Sequence, residues 1–289
     1  MEAERDIRPS TNSLVERMFV ATADRDYVLA RWAAINRLDI NFFWLGVQAV
    51  EKYLKAILLF NGRAARKHGH DVQRLHDDVL TLDSSLTFEP LTKPTVLDLD
   101  DIPWFDESVP QFLKRLNLMG DPNNRYMLYG FAVHSDDLLK FDQLIWAVRR
   151  HCRPFTETHV AGEAGNIEIN WIEQLKKGPG LWRLGSNLLI EKLVDEEAST
   201  PVGEALITLN LPFAPDRNHT VAVWRTSSAT APLENWVRLL QSADAIPEVR
   251  QHAKNILNWV IKNITLGPAD VKEIQMALDK YQRDLSGKN

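Results

Sequence analysis

Residues 42–75, FFWLGVQAVEKYLKAILLFNGRAARKHGHDVQRL, decide the fold. Phe42, Leu45, Ala49, Tyr53 and Ala56 recur at helical spacing, and Phe43, Val47, Val50, Leu54 and Ile57 occupy the adjoining face. Gln48, Glu51, Lys52 and Lys55 are left as one narrow polar stripe. A helix that is apolar on two flanks needs a neighbour on each, so the pattern predicts the central rod of a bundle, over about residues 35–61. Asn61-Gly62 ends the rod, because glycine takes the left-handed conformation of a C-terminal cap at no steric cost. A basic turn carrying Arg63, Arg66, Lys67, His68 and His70 follows, and a further helix opens at Asp71.

Outward from that stretch the pattern remains helical. Ser13 and Glu16 have the spacing of a capping box before a helix that runs to about Trp32. Downstream, Val72, Leu75, Val79 and Leu82 form the inner face of a helix over 71–82, followed by an irregular Pro- and Asp-rich stretch over 83–107. A short helix is expected over 109–118 and a turn at Asp121-Pro122-Asn123-Asn124. Ser135 is placed to cap a last helix through Leu138, Phe141, Ile145, Val148 and Cys152, which Pro154 stops. These elements predict an up-and-down bundle of four or five helices over residues 13–155. The small, polar, aperiodic run 156–165 marks a boundary, and residues 165–289 read as a second, mostly helical domain of no recognised type. In it, 181–196 is amphipathic, helices are expected over 232–241, 247–264 and 268–285, and the short β-prone runs 205–209 and 220–224 suggest a small hairpin. The expected fold class is therefore mainly α, with a small β-hairpin in the second half.

Composition removes several classes of function. The net charge is −5 and neither half is basic, so the chain does not coat nucleic acid, and any RNA or nucleotide contact has to be local. No apolar run approaches the roughly 20 residues that span a bilayer, and the charged start MEAERDIRPS lacks a secretory core, so a cytoplasmic protein with no membrane partner is expected. A single cysteine, Cys152, excludes an internal disulfide and a cysteine-cluster metal site. The acidic run Asp98, Asp100, Asp101, Asp106 and Glu107 lacks the glycine and terminal Glu of a calcium loop, so no metal and no cofactor is expected. There is no phosphate-binding P-loop, dinucleotide fingerprint, nucleophile elbow or His-Glu-x-x-His motif.

Gln48-Ala49-x-Glu51-Lys52-x-x-Lys55-Ala56 resembles the signature of the HEPN superfamily of helical, nucleotide-linked domains. Asp26-Tyr27 with Ala30-Arg31 is similar to the family's first-helix pattern, and His70-Asp71-Val72 with Leu75 to the start of its third helix. Arg125-Tyr126 lies where one branch of the family carries an Arg-Tyr pair. The likeness covers the first half of the chain and implies a homodimer formed through the long helices. Ribonuclease members carry Arg-x(4–6)-His near the last helix, where the Arg holds phosphate and the His moves a proton. Here Arg125 and His134 are the corresponding catalytic candidates, but eight residues separate them. On a continuous helix, nine steps of about 100° would point them apart. Arg63 with His68 or His70, and Arg153 with His159, match the spacing numerically at other places.

The ligand-binding candidates are Lys52, Lys55, Arg63, Arg66, Lys67, His70 and Arg125. Each also has a structural reading: Lys52 and Lys55 as a solvated stripe, with Glu51 and Lys55 an i,i+4 pair, and the basic turn as cations favoured at a helix C-terminus. Arg149, Arg150, His151 and Arg153 make a second basic knot at the end of the last helix of the bundle. The expected function is a dimeric, non-catalytic nucleotide- or RNA-associated binding module, linked to a nucleotidyltransferase or to stress or defence. The alternatives are a metal-independent endoribonuclease and an oligomerisation scaffold whose protein partner docks on the C-terminal half.

Overall fold

The computed structural model describes residues 2–65, 68–88, 90–100, 102–160, 166–178, 182–185, 187–196, 200–216, 226–229, 231–263 and 266–287. The chain is mainly helical with small two-stranded sheets, as the periodicity predicts. It begins with α1 (Glu2–Val15), a π-helical turn (Glu16–Val20) and α2 (Ala21–Ile35), followed by α3 (Asp39–Phe60), α4 (Val72–Leu80) and α5 (Val109–Met119). A 3₁₀ turn (Pro122–Tyr126), β1 (Phe131–Val133), α6 (Asp137–Arg149), β2 (Thr156–Val160) and β3 (Asn166–Asn170) come next. The remainder is α7 (Trp171–Lys177), α8 (Leu189–Asp195), α9 (Pro201–Ile207), β4 (Ser227–Ala229), α10 (Pro232–Gln241), α11 (Pro247–Asn263) and α12 (Pro268–Leu285). No helix among the described residues is long and apolar enough to cross a membrane.

Residues 1–120 and 133–226 form one compact unit, and 121–132 with 227–289 form a second, so the break expected near 156–165 falls inside the first unit. In the first unit α3 is the central rod, packed on α2, α4, α5 and α6. Phe42, Phe43, Ala49, Val50, Tyr53, Leu54, Ala56 and Ile57 are buried on its two apolar flanks. Gly62 ends the rod in the left-handed region (φ 74°), as its position after Asn61 predicts. Asp71 caps α4, its carboxylate accepting from the backbone N–H groups of Gln73 and Arg74 at 3.1 Å. At the end of α5, Gly120 meets α3 so closely that a Cβ would lie 2.5 Å from the Phe43 carbonyl oxygen.

Local signals misplace some details. Ser13 lies within α1 rather than at a helix start, because helix continues through the π turn into α2. Asp136, not Ser135, is the N-cap residue of α6, and the Ser135 hydroxyl instead donates to the Pro103 carbonyl at 3.1 Å. The hairpin is β2–β3, antiparallel with Thr156 opposite Asn170. The expected strand over 205–209 is largely α9, because Thr200 accepts from Gly203 N and Pro201 occupies the first helical turn, a start signal that outweighs β propensity. Its expected partner over 220–224 lies outside the described residues. The amphipathic run 181–196 contributes the shorter α8.

In the second unit, α10, α11 and α12 enclose a core that includes Leu240, Ala253, Leu257, Ile274, Leu278 and Tyr281. Asn124 fastens the preceding loop, donating to the Gly130 carbonyl at 2.8 Å and accepting from Tyr129 N at 3.1 Å. β1 pairs with β4.

Candidate functional site

The polar stripe of α3 is an ion-paired edge. Lys52 pairs with Asp26 of α2, and Lys55 Nζ lies 2.6 Å from Glu51 Oε1 and 2.7 Å from the Gly69 carbonyl oxygen. The His70 ring is exposed, with Nδ1 3.0 Å from the buried Glu51 carboxylate. Arg63 donates to the Asp78 carbonyl and the Thr81 hydroxyl, so its charge sits on the C-terminal carbonyls of α4, where the helix dipole favours a cation. Arg66 and Lys67 lie outside the described residues. Arg125 belongs to the 3₁₀ turn of the second unit, where its Nε donates to the Pro122 carbonyl at 2.8 Å, whereas His134 belongs to the first unit. The chain between Arg125 and His134 is not one continuous helix.

The second basic knot is divided among different tasks. Arg149 is fully buried in a bidentate pair with Asp24 (2.8 and 2.9 Å), and it also donates to the Trp182 carbonyl at 2.7 Å. A matching pair joins Arg31 to Asp142 (2.7 and 2.8 Å), and Arg31 further donates to the carbonyls of Ala205, Leu206 and Thr208 at the end of α9. Asp24 and Arg31 are seven residues apart on α2, and Asp142 and Arg149 are seven apart on α6. The reciprocal pairing therefore makes the two helices antiparallel. The Tyr27 hydroxyl donates to Asp142 at 2.7 Å, and the Tyr53 hydroxyl to Asp24 at 2.6 Å. Burial first, and then the adjacent carboxylate, hold both phenols protonated well above their ordinary range.

Just beyond Arg149 the chain opens a cleft of about 360 Å³ between the loop at 85–87, the end of α6 and α7. Two cations line it: Arg150, stacked 4.0 Å above the Trp146 ring, and Lys176, which meets Glu173 at 3.1 Å on the exposed rim. Ser85 and Thr87 bring hydroxyls, and Leu86, Ile172 and Leu175 bring aliphatic surface. Asp83 fixes the loop by accepting from both the backbone and the hydroxyl of Ser85, and those bonds lower its carboxyl pKa. His151 completes the lining. Its Nδ1 lies 2.7 Å from the Ala147 carbonyl oxygen, which can only accept, so the proton sits on Nδ1. Burial above all, with Arg150 and Arg153 nearby, pushes its pKa down to about 4, so the ring is neutral at pH 7. Next to it, Cys152 is buried, and burial pushes its thiol pKa up, which makes it a packing residue.

Arg150 and His151 were visible in the sequence as part of the knot, but Ser85, Thr87 and Lys176 carried no signal there. They meet only because α7 follows the β2–β3 hairpin back to the bundle. The buried Asp24–Arg149 and Arg31–Asp142 pairs did leave a trace: charges of opposite sign, two helical turns apart, among apolar neighbours on both α2 and α6. Compared with known proteins, the chain matches no family model, no curated protein and no solved structure at a significant level.

Proposed function

We propose that this protein is a nucleotide- or RNA-associated binding module whose ligand sits in the cleft between residues 85–87, the end of α6 and α7. One observation carries the reading: cations, hydroxyls and aliphatic surface line a single cavity of ligand size. Arg150 and Lys176 would receive a phosphate, and the Thr87 hydroxyl a sugar or phosphate oxygen. The Ser85 hydroxyl, whose proton goes to Asp83, would accept from a sugar hydroxyl, and Leu86, Ile172 and Leu175 would receive the face of a base. Neutral His151 adds no charge of its own. The paired state of Lys52, Lys55 and Arg63 shifts the reading away from the α3 edge. Titration calorimetry with nucleoside monophosphates and short RNA tests it. Lys176→Glu and Ser85→Ala should each weaken binding about tenfold, corresponding to roughly 1.4 kcal/mol. Unchanged affinity in both would sink the proposal. The homodimer implied by the family likeness belongs to the same reading, and a single-chain mass in light scattering would remove it.

A second reading, metal-independent RNA cleavage, draws on the exposed His70 beside buried Glu51. A carboxylate on Nδ1 fixes the tautomer and leaves Nε2 as a base, an arrangement suited to deprotonating a ribose 2′-hydroxyl. It predicts cleavage in EDTA leaving 2′,3′-cyclic phosphate ends and lost in His70→Ala. RNA that stays intact at high protein concentration excludes it.

A further inference from the structure

Away from the cleft, the start of α6 holds a cluster whose own partners leave it incomplete. His134, Asp136 and Asp137 each bring a ligand atom within 4.8 Å of the other two. Asp136 is fully buried. Its Oδ2 accepts from Phe105 N at 2.7 Å and meets Lys140 Nζ at 3.0 Å, but its Oδ1 is buried with no hydrogen-bond partner among the described residues. His134 stacks on Phe105 with ring centroids 4.2 Å apart, and its Nδ1 is likewise buried without a partner among the described residues. Asp137 Oδ1 accepts one bond, from Arg115 at 2.6 Å, while Oδ2 accepts from Arg115 at 3.0 Å and from His134 N at 2.8 Å. A carboxylate oxygen has two lone pairs, so Asp137 Oδ1 keeps one to offer.

The described groups around the cluster do not supply what is missing. An ammonium has three donors, and those of Lys140 are engaged by the Phe105 carbonyl, Glu107 Oε2 at 3.1 Å and Asp136 Oδ2. Ser135 donates to Pro103. Arg115 is divided between Glu107 and Asp137. Glu107, Asp136 and Asp137 face Arg115 and Lys140, which leaves one negative charge in excess. A buried carboxylate oxygen and a buried ring nitrogen left without partners are costly in a folded chain, and a small cation bound to the Nε2–H tautomer satisfies both.

We propose that His134, Asp136 and Asp137 form a site for one divalent transition-metal ion of the zinc class, held chiefly by His134 Nδ1 and Asp136 Oδ1. An imidazole nitrogen with carboxylate oxygens suits zinc or cobalt, whereas magnesium and calcium prefer oxygen alone. Such an ion would pin the loop at 103–107 to the start of α6. The test uses the full chain, stripped with chelator, reloaded with Zn²⁺ or Co²⁺ and passed through gel filtration. One metal equivalent per chain is expected by elemental analysis, with a cobalt visible band characteristic of nitrogen–oxygen ligation. His134→Ala, a half-buried position, should lose that equivalent and the band while circular dichroism stays native. His70→Ala should keep both. No retained metal in the unaltered protein, or the same band in His134→Ala, overturns the proposal.

Discussion

Replacing Asp142 with Ala tests the buried charge lattice that joins α2, α6 and α9. The substitution leaves the Arg31 guanidinium fully buried with its α9 carbonyl partners but without a counter-ion. Breaking a buried ion pair on one side costs about 3–5 kcal/mol. Tyr27 also loses its acceptor, keeping the bond from Asn210 at 2.9 Å, which adds about 1 kcal/mol. The expected loss is therefore about 4–6 kcal/mol, against a total of roughly 5–15 kcal/mol for a typical domain. Urea unfolding followed by far-ultraviolet circular dichroism measures it directly. In the double variant Arg31→Met/Asp142→Ala the buried charge disappears, so its cost should be no greater than that of the worse single variant, a coupling of at least about 2 kcal/mol. A single-variant cost under about 1 kcal/mol, or simple addition of the two, would refute the idea that Arg31 and Asp142 act as one buried unit.

Two other outcomes follow from particular contacts. His151 has its pKa lowered from 6.5 to about 4 by burial, so the unfolded chain takes up a proton first as pH falls. Its contribution is full above about pH 6.5, declines down to about pH 4 and is flat below, a total of about 3 kcal/mol. Melting temperature measured against pH should fall less steeply across that window in His151→Phe, and parallel curves would contradict the assignment. Gly120→Ala would drive a methyl group to 2.8 Å from Val47 Cγ1 as well as onto the Phe43 carbonyl, costing about 1–3 kcal/mol in chemical denaturation. An unchanged midpoint would mean that α5 ends with more room than the structure gives it.

The fold was legible wherever one signal ran for several turns. The α3 rod, with its two apolar flanks and Asn61-Gly62 stop, is periodic over 22 residues, long enough to specify both its type and its central place. α10 and α12 match their expected ranges because Pro232 and Pro268 mark their starts. Single-residue signals fared worse: Ser13 has the right neighbours for a cap but lies inside a helix, and the β-branched run near Ile207 yields to the Thr200-Pro201 start. The site was harder to foresee. A basic knot at a helix end looks the same in sequence whether its members are buried, stacked or solvated. In the structure Arg149 is buried, Arg150 stacks on Trp146, and Arg153 donates to the Arg150 carbonyl at 3.1 Å. The hydroxyls that accompany Arg150 come from residues more than 60 positions earlier, brought in by packing alone.

Nitrogen–proton correlation spectra recorded while a nucleoside monophosphate is titrated into the labelled protein would test the binding role most directly. Saturable shifts confined to the amides of residues 85–87, 150–151 and 172–176 are the predicted result. A spectrum that does not move, or shifts gathered on the α3 edge around Lys55 and His70 instead, would contradict it.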